Sequence, residues 1–189
     1  MSVNVAYKFG TGITPLQFMD GMQKNKEAFQ AGYDGFAWQS EEDGAFFEGL
    51  QGLDNLRVLI LAADWCGDVL RSIPVVFRAL ESSGLPVEVF ILEQHQDLME
   101  QFLTNGGRSV PIVIFADDQG QVLGQWGPRP AHVQALMMEF KRQNPDREAP
   151  DYEAKIGEVR KAMAAKYEEG AGVNGSVVTE LRELISGMK

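Results

Sequence analysis

Hydrophobic and polar positions change rhythm several times along this chain. Val58 to Ala63 is an unbroken apolar run rich in β-formers, and with Leu56 before it reads as a strand over 56–63 covered on both faces. A tight turn follows at Cys66-Gly67. Apolar residues then recur at Val69, Ile73, Val76, Phe77 and Leu80, which predicts a helix over about 68–82, closed by Ser82-Ser83-Gly84. Val87 to Leu92 reads as a second strand, and Leu98, Met99, Phe102 and Leu103 mark a short helix near 95–104 that stops at Asn105-Gly106-Gly107. Val110 to Ala116 is a third strand. Asp117-Asp118-Gln119-Gly120 has the residues of a hairpin turn, so Gln121 to Trp126 is the return strand. A helix at about 130–142 carries Val133, Leu136, Met137 and Phe140 on one side.

The flanks of this segment are helical. Thr14-Pro15-Leu16-Gln17 is a strong helix start, with Thr14 as N-cap, Pro15 at the first helical position and Gln17 closing a capping box. Phe18, Met22 and Phe29 then share one face, and Gly32 and Gly35 end that helix. Ser40 opens a second helix that runs to about Gly52. After a polar linker with two prolines, Gln143 to Pro150, Ile156, Val159, Met163 and Tyr167 predict a helix over 151–169. A last helix near 175–187 carries Val177, Leu181, Leu184, Ile185 and Met188. Both terminal helices have an apolar face to bury, and the core of the same chain is the expected place. The whole predicts a single domain over 1–189. It comprises a helical extension (1–53), a βαβαββα core (54–143) and a second helical extension (144–189). The fold class is α/β, with a mixed sheet: parallel strands from the βαβ unit and an antiparallel edge from the hairpin.

Charge narrows the partners. Net charge is −10 with no basic cluster in the sequence, which argues against nucleic acid and anionic membranes. No apolar run reaches the length of a bilayer span, and Met1 to Phe9 lacks the basic start and apolar core of a signal peptide. One cysteine cannot form an internal disulfide, so a reducing cytoplasm is the expected compartment.

That cysteine, Cys66, sits where a buried strand hands over to a helix N-terminus. The free N–H groups and positive dipole end found there stabilise a thiolate, and cysteines so placed ionise below the free value of about 8.5. Asp68, two residues on, acts the other way. The alternative to an exposed, activated thiol is a small buried hydrophobe.

Pro111 is out of place inside a central strand but fits its first position, particularly as a cis bond. With it, four marks stand in order: Ala63-Asp64-Trp65-Cys66-Gly67, Pro74 eight residues after Cys66, Arg108-Ser109-Val110-Pro111, and Trp126-Gly127. Over about 54–143 the chain resembles the thioredoxin superfamily, whose active-site motif is W-C-G-x-C, and in particular bacterial thioredoxin-like proteins with a W-C-G-D motif. The resemblance implies a helix-kinking proline at Pro74, a cis-proline at Pro111 and a reactive thiol at Cys66. Two departures are plain. Val69 stands where the resolving cysteine belongs, and Ile60 where typical thioredoxins keep a buried aspartate. An intramolecular dithiol cycle is therefore impossible, although a mixed disulfide can still begin at Cys66.

Two functions follow from this. In the first, the chain is a monothiol oxidoreductase: Cys66 attacks, Gly67 and Asp68 carry the helix end that lowers its pKa, Val110 and Pro111 offer backbone to a substrate strand, and Trp65 forms an apolar wall. Its partner is a protein disulfide or a low-molecular-weight thiol, and no cofactor or metal is implied. In the second, the chain is a binding module with a groove between Trp65, Pro111 and Trp126, and the thiol is a remnant. Other chemistry finds little support. His95 and His132 lack metal-ligand spacing and a protease signature, Arg71 is too far round its helix to activate a peroxidatic cysteine, and Gly10-x-Gly12 and Gly106-Gly107 lack the setting of a phosphate loop. Asp117-Asp118 is better explained as a turn than as a calcium loop, and C-G-D-V is not the usual motif of the monothiol glutaredoxins that share an iron–sulfur cluster.

Overall fold

The computed structural model describes residues 3–53 and 55–188; Met1, Ser2, Asp54 and Lys189, and with them the ends of the expected domain and the start of its core, lie outside the described residues. At the centre is a four-stranded sheet of β1 (Leu56–Ala62), β2 (Val87–Ile91), β3 (Ile112–Asp117) and β4 (Val122–Trp126), in the order β2-β1-β3-β4. β1 pairs parallel with β2 and antiparallel with β3, and β4 returns antiparallel along β3. The sheet is mixed, as expected. Val58 to Ala62 are all buried, which is why that run shows no alternation.

Helices cover both faces. α1 (Pro15–Gly21), α2 (Lys26–Asp34) and α3 (Glu41–Glu48) precede β1. α4 (Gly67–Ser83) crosses from β1 to β2, and α5 (Gln96–Met99) lies in the β2–β3 connection. α6 (Ala131–Gln143), α7 (Tyr152–Lys166) and α8 (Gly172–Ser186) follow the sheet. Phe18, Phe29 and Phe77 meet edge to face, with centroids 5.7 to 6.2 Å apart, and join α1 and α2 to α4. The apolar face of α8 (Val177, Val178, Leu181, Ile185) enters this same core, while α6 and α7 enclose a second cluster built on Met137, Phe140, Tyr152 and Met163.

Four expectations are corrected. The first N-terminal helix is two, because the chain breaks at Met22–Asn25 (Asn25 at φ 58°) to place its amides on Asp64. The helix expected near 95–104 is only Gln96–Met99, since a 3-10 turn takes Leu92–Gln94 and the chain then turns at 104–107. β3 begins at Ile112 rather than Val110, because Pro111 has no N–H to give to a strand ladder. α8 starts earlier than expected, at Gly172.

The glycines and acids set aside as phosphate or calcium loops have structural work. Glu88 on β2 accepts hydrogen bonds from the amides of Gly10 and Gly12, at 3.1 and 3.0 Å. A Cβ on Gly12 would stand 2.8 Å from Glu88 Cβ, so the N-terminal strap lies flat on that strand because it is glycine. Asp117 accepts from the amides of Gln119 and Gln121 and so builds the hairpin turn.

Candidate functional site

Three segments converge on the sulfur. Cys66 is the N-cap of α4 and its φ and ψ are extended, which leaves its side chain at the end of the helix rather than along it. The approach to it is held from the N-terminal flank. The carboxylate of Asp64 accepts from the amides of Gln23 (2.7 Å) and Lys24 (3.0 Å), and the carbonyl of Asp64 accepts from the Asn25 amide side chain (2.8 Å). Facing the thiol is Val110, whose carbonyl oxygen accepts the Cys66 S–H at 3.3 Å. Pro111 itself is buried, and its carbonyl presses on Gly127, where φ is +113° and a Cβ would lie 2.2 Å away. Only glycine fits that close approach, which gives the Trp126-Gly127 pair its physical reason. The Val110–Pro111 and Gly127–Pro128 bonds are both cis.

The thiol is half-buried, not exposed, and the expectation of a lowered pKa is reversed. Burial pushes the Cys66 thiol up from its ordinary value. The Val69 and Asp68 amides pull it down, as a helix N-terminus should, but the Asp68 carboxylate reinforces the rise and the Arg129 guanidinium opposes it only weakly. Desolvation wins because the sulfur is covered by the Val110 loop, a contact between residues 44 apart in sequence.

Both carboxylate oxygens of Asp68 are engaged within the protein. Its Oδ2 accepts from Arg129 Nε and Nη2 at 3.0 and 2.7 Å, and its Oδ1 accepts the hydroxyl of Tyr167 at 2.6 Å. Arg129 also donates to Gln134. Burial and the Asp68 carboxylate raise the Tyr167 phenol far above its ordinary range. Arg129 and Tyr167 therefore belong to the site, and sequence reasoning missed them. Tyr167 was legible only as one apolar position of a C-terminal helix, and Arg129 carried no signal.

The expected site residues are only partly brought together. Trp65, Gly67, Asp68 and Val110 line one open cleft with Cys66, of about 610 Å3, to which α6 and α7 also contribute a wall. Trp65 is half exposed and donates its indole N–H to Glu93 at 2.6 Å. The carbonyl of Gly67 accepts from Arg71. Pro111 stands behind Val110 and does not reach the cleft, and Trp126 is buried with its indole N–H on Glu180 of α8. The groove expected between Trp65, Pro111 and Trp126 is thus not formed. Val69 and Ile60 are fully buried, so no second thiol or internal acid stands beside Cys66. The histidines are engaged elsewhere: His95 contacts Lys8 and the Phe90 ring, and His132 the carbonyl of Lys166. Among the described residues there is no cluster of three or more potential metal ligands, and no helix is long and apolar enough to cross a membrane.

A sheet of order β2-β1-β3-β4, with a cysteine capping the first crossover helix and a cis X–Pro bond opposite it, defines a thioredoxin-like α/β protein. Residues 12–143 match the thioredoxin family, and the chain belongs to it. No curated protein matches the chain. Among solved structures it is similar to a protein of unknown function from Pseudomonas aeruginosa (18% identity, 99% of each chain covered, TM-score 0.63). It is also similar to an HIV epitope scaffold (17% identity, 98% of this chain and 99% of that one, TM-score 0.62). At such identities the likeness speaks for the fold.

Proposed function

We propose that the protein is a thiol–disulfide oxidoreductase that works through Cys66 alone, by way of a mixed disulfide with a low-molecular-weight thiol or a partner protein. The observation that carries this reading is the seat of the sulfur, at the inner wall of an open cleft, with backbone amides of α4 beside it and the Val110 carbonyl 3.3 Å away. In the step, the Cys66 sulfur attacks R–S–S–R′. A Cys66–S–S–R bond forms, the R–S–S–R′ bond breaks, and R′S⁻ leaves and takes up the proton that Cys66 released. Oxidation passes from R′ to Cys66, and a second thiol from solution must reverse it.

The raised thiol shapes this chemistry. Few Cys66 sulfurs are ionised at neutral pH, but a thiolate of high pKa is the stronger nucleophile and the poorer leaving group. Release of Cys66 requires an incoming thiol to attack the partner's sulfur and expel the Cys66 thiolate, which a poor leaving group slows. Trp65, Gly67 and Val110 bound the position of the partner's sulfur, while Asp68 acts through Arg129 and Tyr167 as a positioning residue. A reducing, cytoplasmic setting in a bacterium fits such a cycle.

The test is intact-mass measurement after exposure to an excess of a small disulfide. One adduct per chain is expected, reversed by reductant and missing from Cys66→Ser; wild-type protein without an adduct sinks the reading. A second reading, a binding module with an unused thiol, draws support from the raised Cys66 and from Val69. Partners captured equally by wild type and Cys66→Ser, and retained in reductant, favour it.

A further inference from the structure

The cleft is charged against the composition of the chain. The sequence holds 27 acidic and 17 basic residues. Yet six cations line the cleft, Arg71, Arg108, Arg129, Lys141, Arg147 and Arg160, against one carboxylate, Asp68. Periodicity gave no hint of this, because the six come from six different segments. Three of them are engaged. Arg129 holds Asp68, Arg108 pairs with Glu100, and Arg71 donates to the Gly67 carbonyl and lies over the Tyr167 ring.

Lys141, Arg147 and Arg160 have no ion pair among the described residues. They stand on the end of α6, the α6–α7 connection and α7, and line the same cleft as Cys66. Lys141 is half-buried, and burial together with the nearby Arg147 and Arg129 guanidiniums pushes its ammonium below the ordinary value. Cations crowded in this way with no anion among them raise the energy of the empty protein, and an anion relieves it. Elsewhere the acidic surface repels anions, so this cleft is where the chain would concentrate them. Its floor is apolar at Met137 and Ile156, and its volume of about 610 Å3 suits a molecule of a few residues.

We propose that the cleft binds a small thiol, or its disulfide, carrying at least two carboxylates, with the sulfur at Cys66 and the carboxylates on Lys141, Arg147 and Arg160. This rests on the exchange reading of Cys66, and it adds the class of substrate. The α6–α7 wall selects the partner and the sulfur reacts with it.

Two measurements separate the claims. Cys66→Ser protein is titrated with S-methylglutathione, which carries two carboxylates and cannot exchange. Saturable binding is expected, weakened about tenfold by the double reversal Arg147→Glu/Arg160→Glu and by raising salt from about 50 to about 500 mM. Both arginines are exposed, so the reversal leaves the core intact. Wild-type protein is then reacted with oxidised glutathione and with the neutral bis(2-hydroxyethyl) disulfide. The anionic disulfide is expected to react about tenfold faster at low salt, with a ratio that falls toward one in the double reversal. No saturable binding of S-methylglutathione, binding indifferent to salt and to the reversal, or equal rates for the two disulfides overturns the proposal. If neither disulfide reacts, exchange at Cys66 fails while the titration still decides the anion site.

Discussion

Around Cys66, two backbone amides and a covering loop act in opposite directions, and the loop prevails. The result is a protonated thiol at neutral pH, hydrogen-bonded to the Val110 carbonyl. The rate of alkylation should accordingly show a midpoint above the free value of about 8.5, and a midpoint near 7 would contradict the geometry. Asp68 contributes to the rise, so Asp68→Asn, which removes its charge and leaves Arg129 uncompensated, should move the midpoint down. An unchanged midpoint would mean that burial alone holds the thiol up. Position, residue type and the opposing influence of Asp68 were all readable in the sequence around Cys66. The balance was not, because it depends on Val110, Arg129 and Tyr167, which arrive from distant segments.

Where one long N-terminal helix was expected, the break between α1 and α2 is part of the site. Gln23 and Lys24 would donate their amides within a continuous helix; they donate to Asp64 instead, one residue before Trp65. Asp64→Ala leaves those two charge-assisted bonds unmade and should cost about 1–3 kcal/mol in urea unfolding. It should also loosen the turn, so that Cys66 alkylates faster at fixed pH. A loss of stability with no change in that rate would mean that the clamp does not reach the thiol. Local signals carried most elements here, as the complete Thr14–Gln17 capping box shows. They failed where a tertiary acceptor competed with helix periodicity, at Met22–Asn25, and where the chain turned early after Met99. Boundaries set by local chemistry were legible, and boundaries set by distant partners were not.

Taken together, the two helical flanks are the supports of the reactive centre. α1–α2 fixes the approach to Cys66, and α7 brings Tyr167 to Asp68. This linkage has a global signature in alkali. Cys66 and Tyr167 both have raised values in the folded chain. Above the unfolded values of about 8.5 and about 10, the unfolded chain releases protons that the folded chain keeps. Unfolding is then favoured by rising pH, and the stability these groups contribute is full below those values and lost above them. Lys141, lowered in the folded state, acts in the opposite sense near its unfolded value of about 10.4, so variants rather than absolute slopes carry the comparison. Urea midpoints measured between about pH 7 and 11 should fall less steeply in Cys66→Ser from about 8.5 and in Tyr167→Phe from about 10. Slopes identical to wild type would remove both groups from the account. The fold class was open to the sequence because strand and helix rhythms are local. The cleft was not, since a wall made of α6 and α7 leaves no pattern near Cys66.

Trp65 gives this arrangement an optical voice. It is the residue next to the reactive sulfur and is half exposed at the cleft, with its indole N–H on Glu93. Trp126 is buried against Glu180, and Trp38 is stacked on Phe47 inside the N-terminal flank. Of three fluorophores, one therefore watches the thiol from the solvent side and two watch the packing. A molecule that settles on Cys66 alters the polarity around a single indole and shifts part of the emission, while the light from the other two reports that the fold is undisturbed. The protein carries its own binding gauge and its own reference in one spectrum.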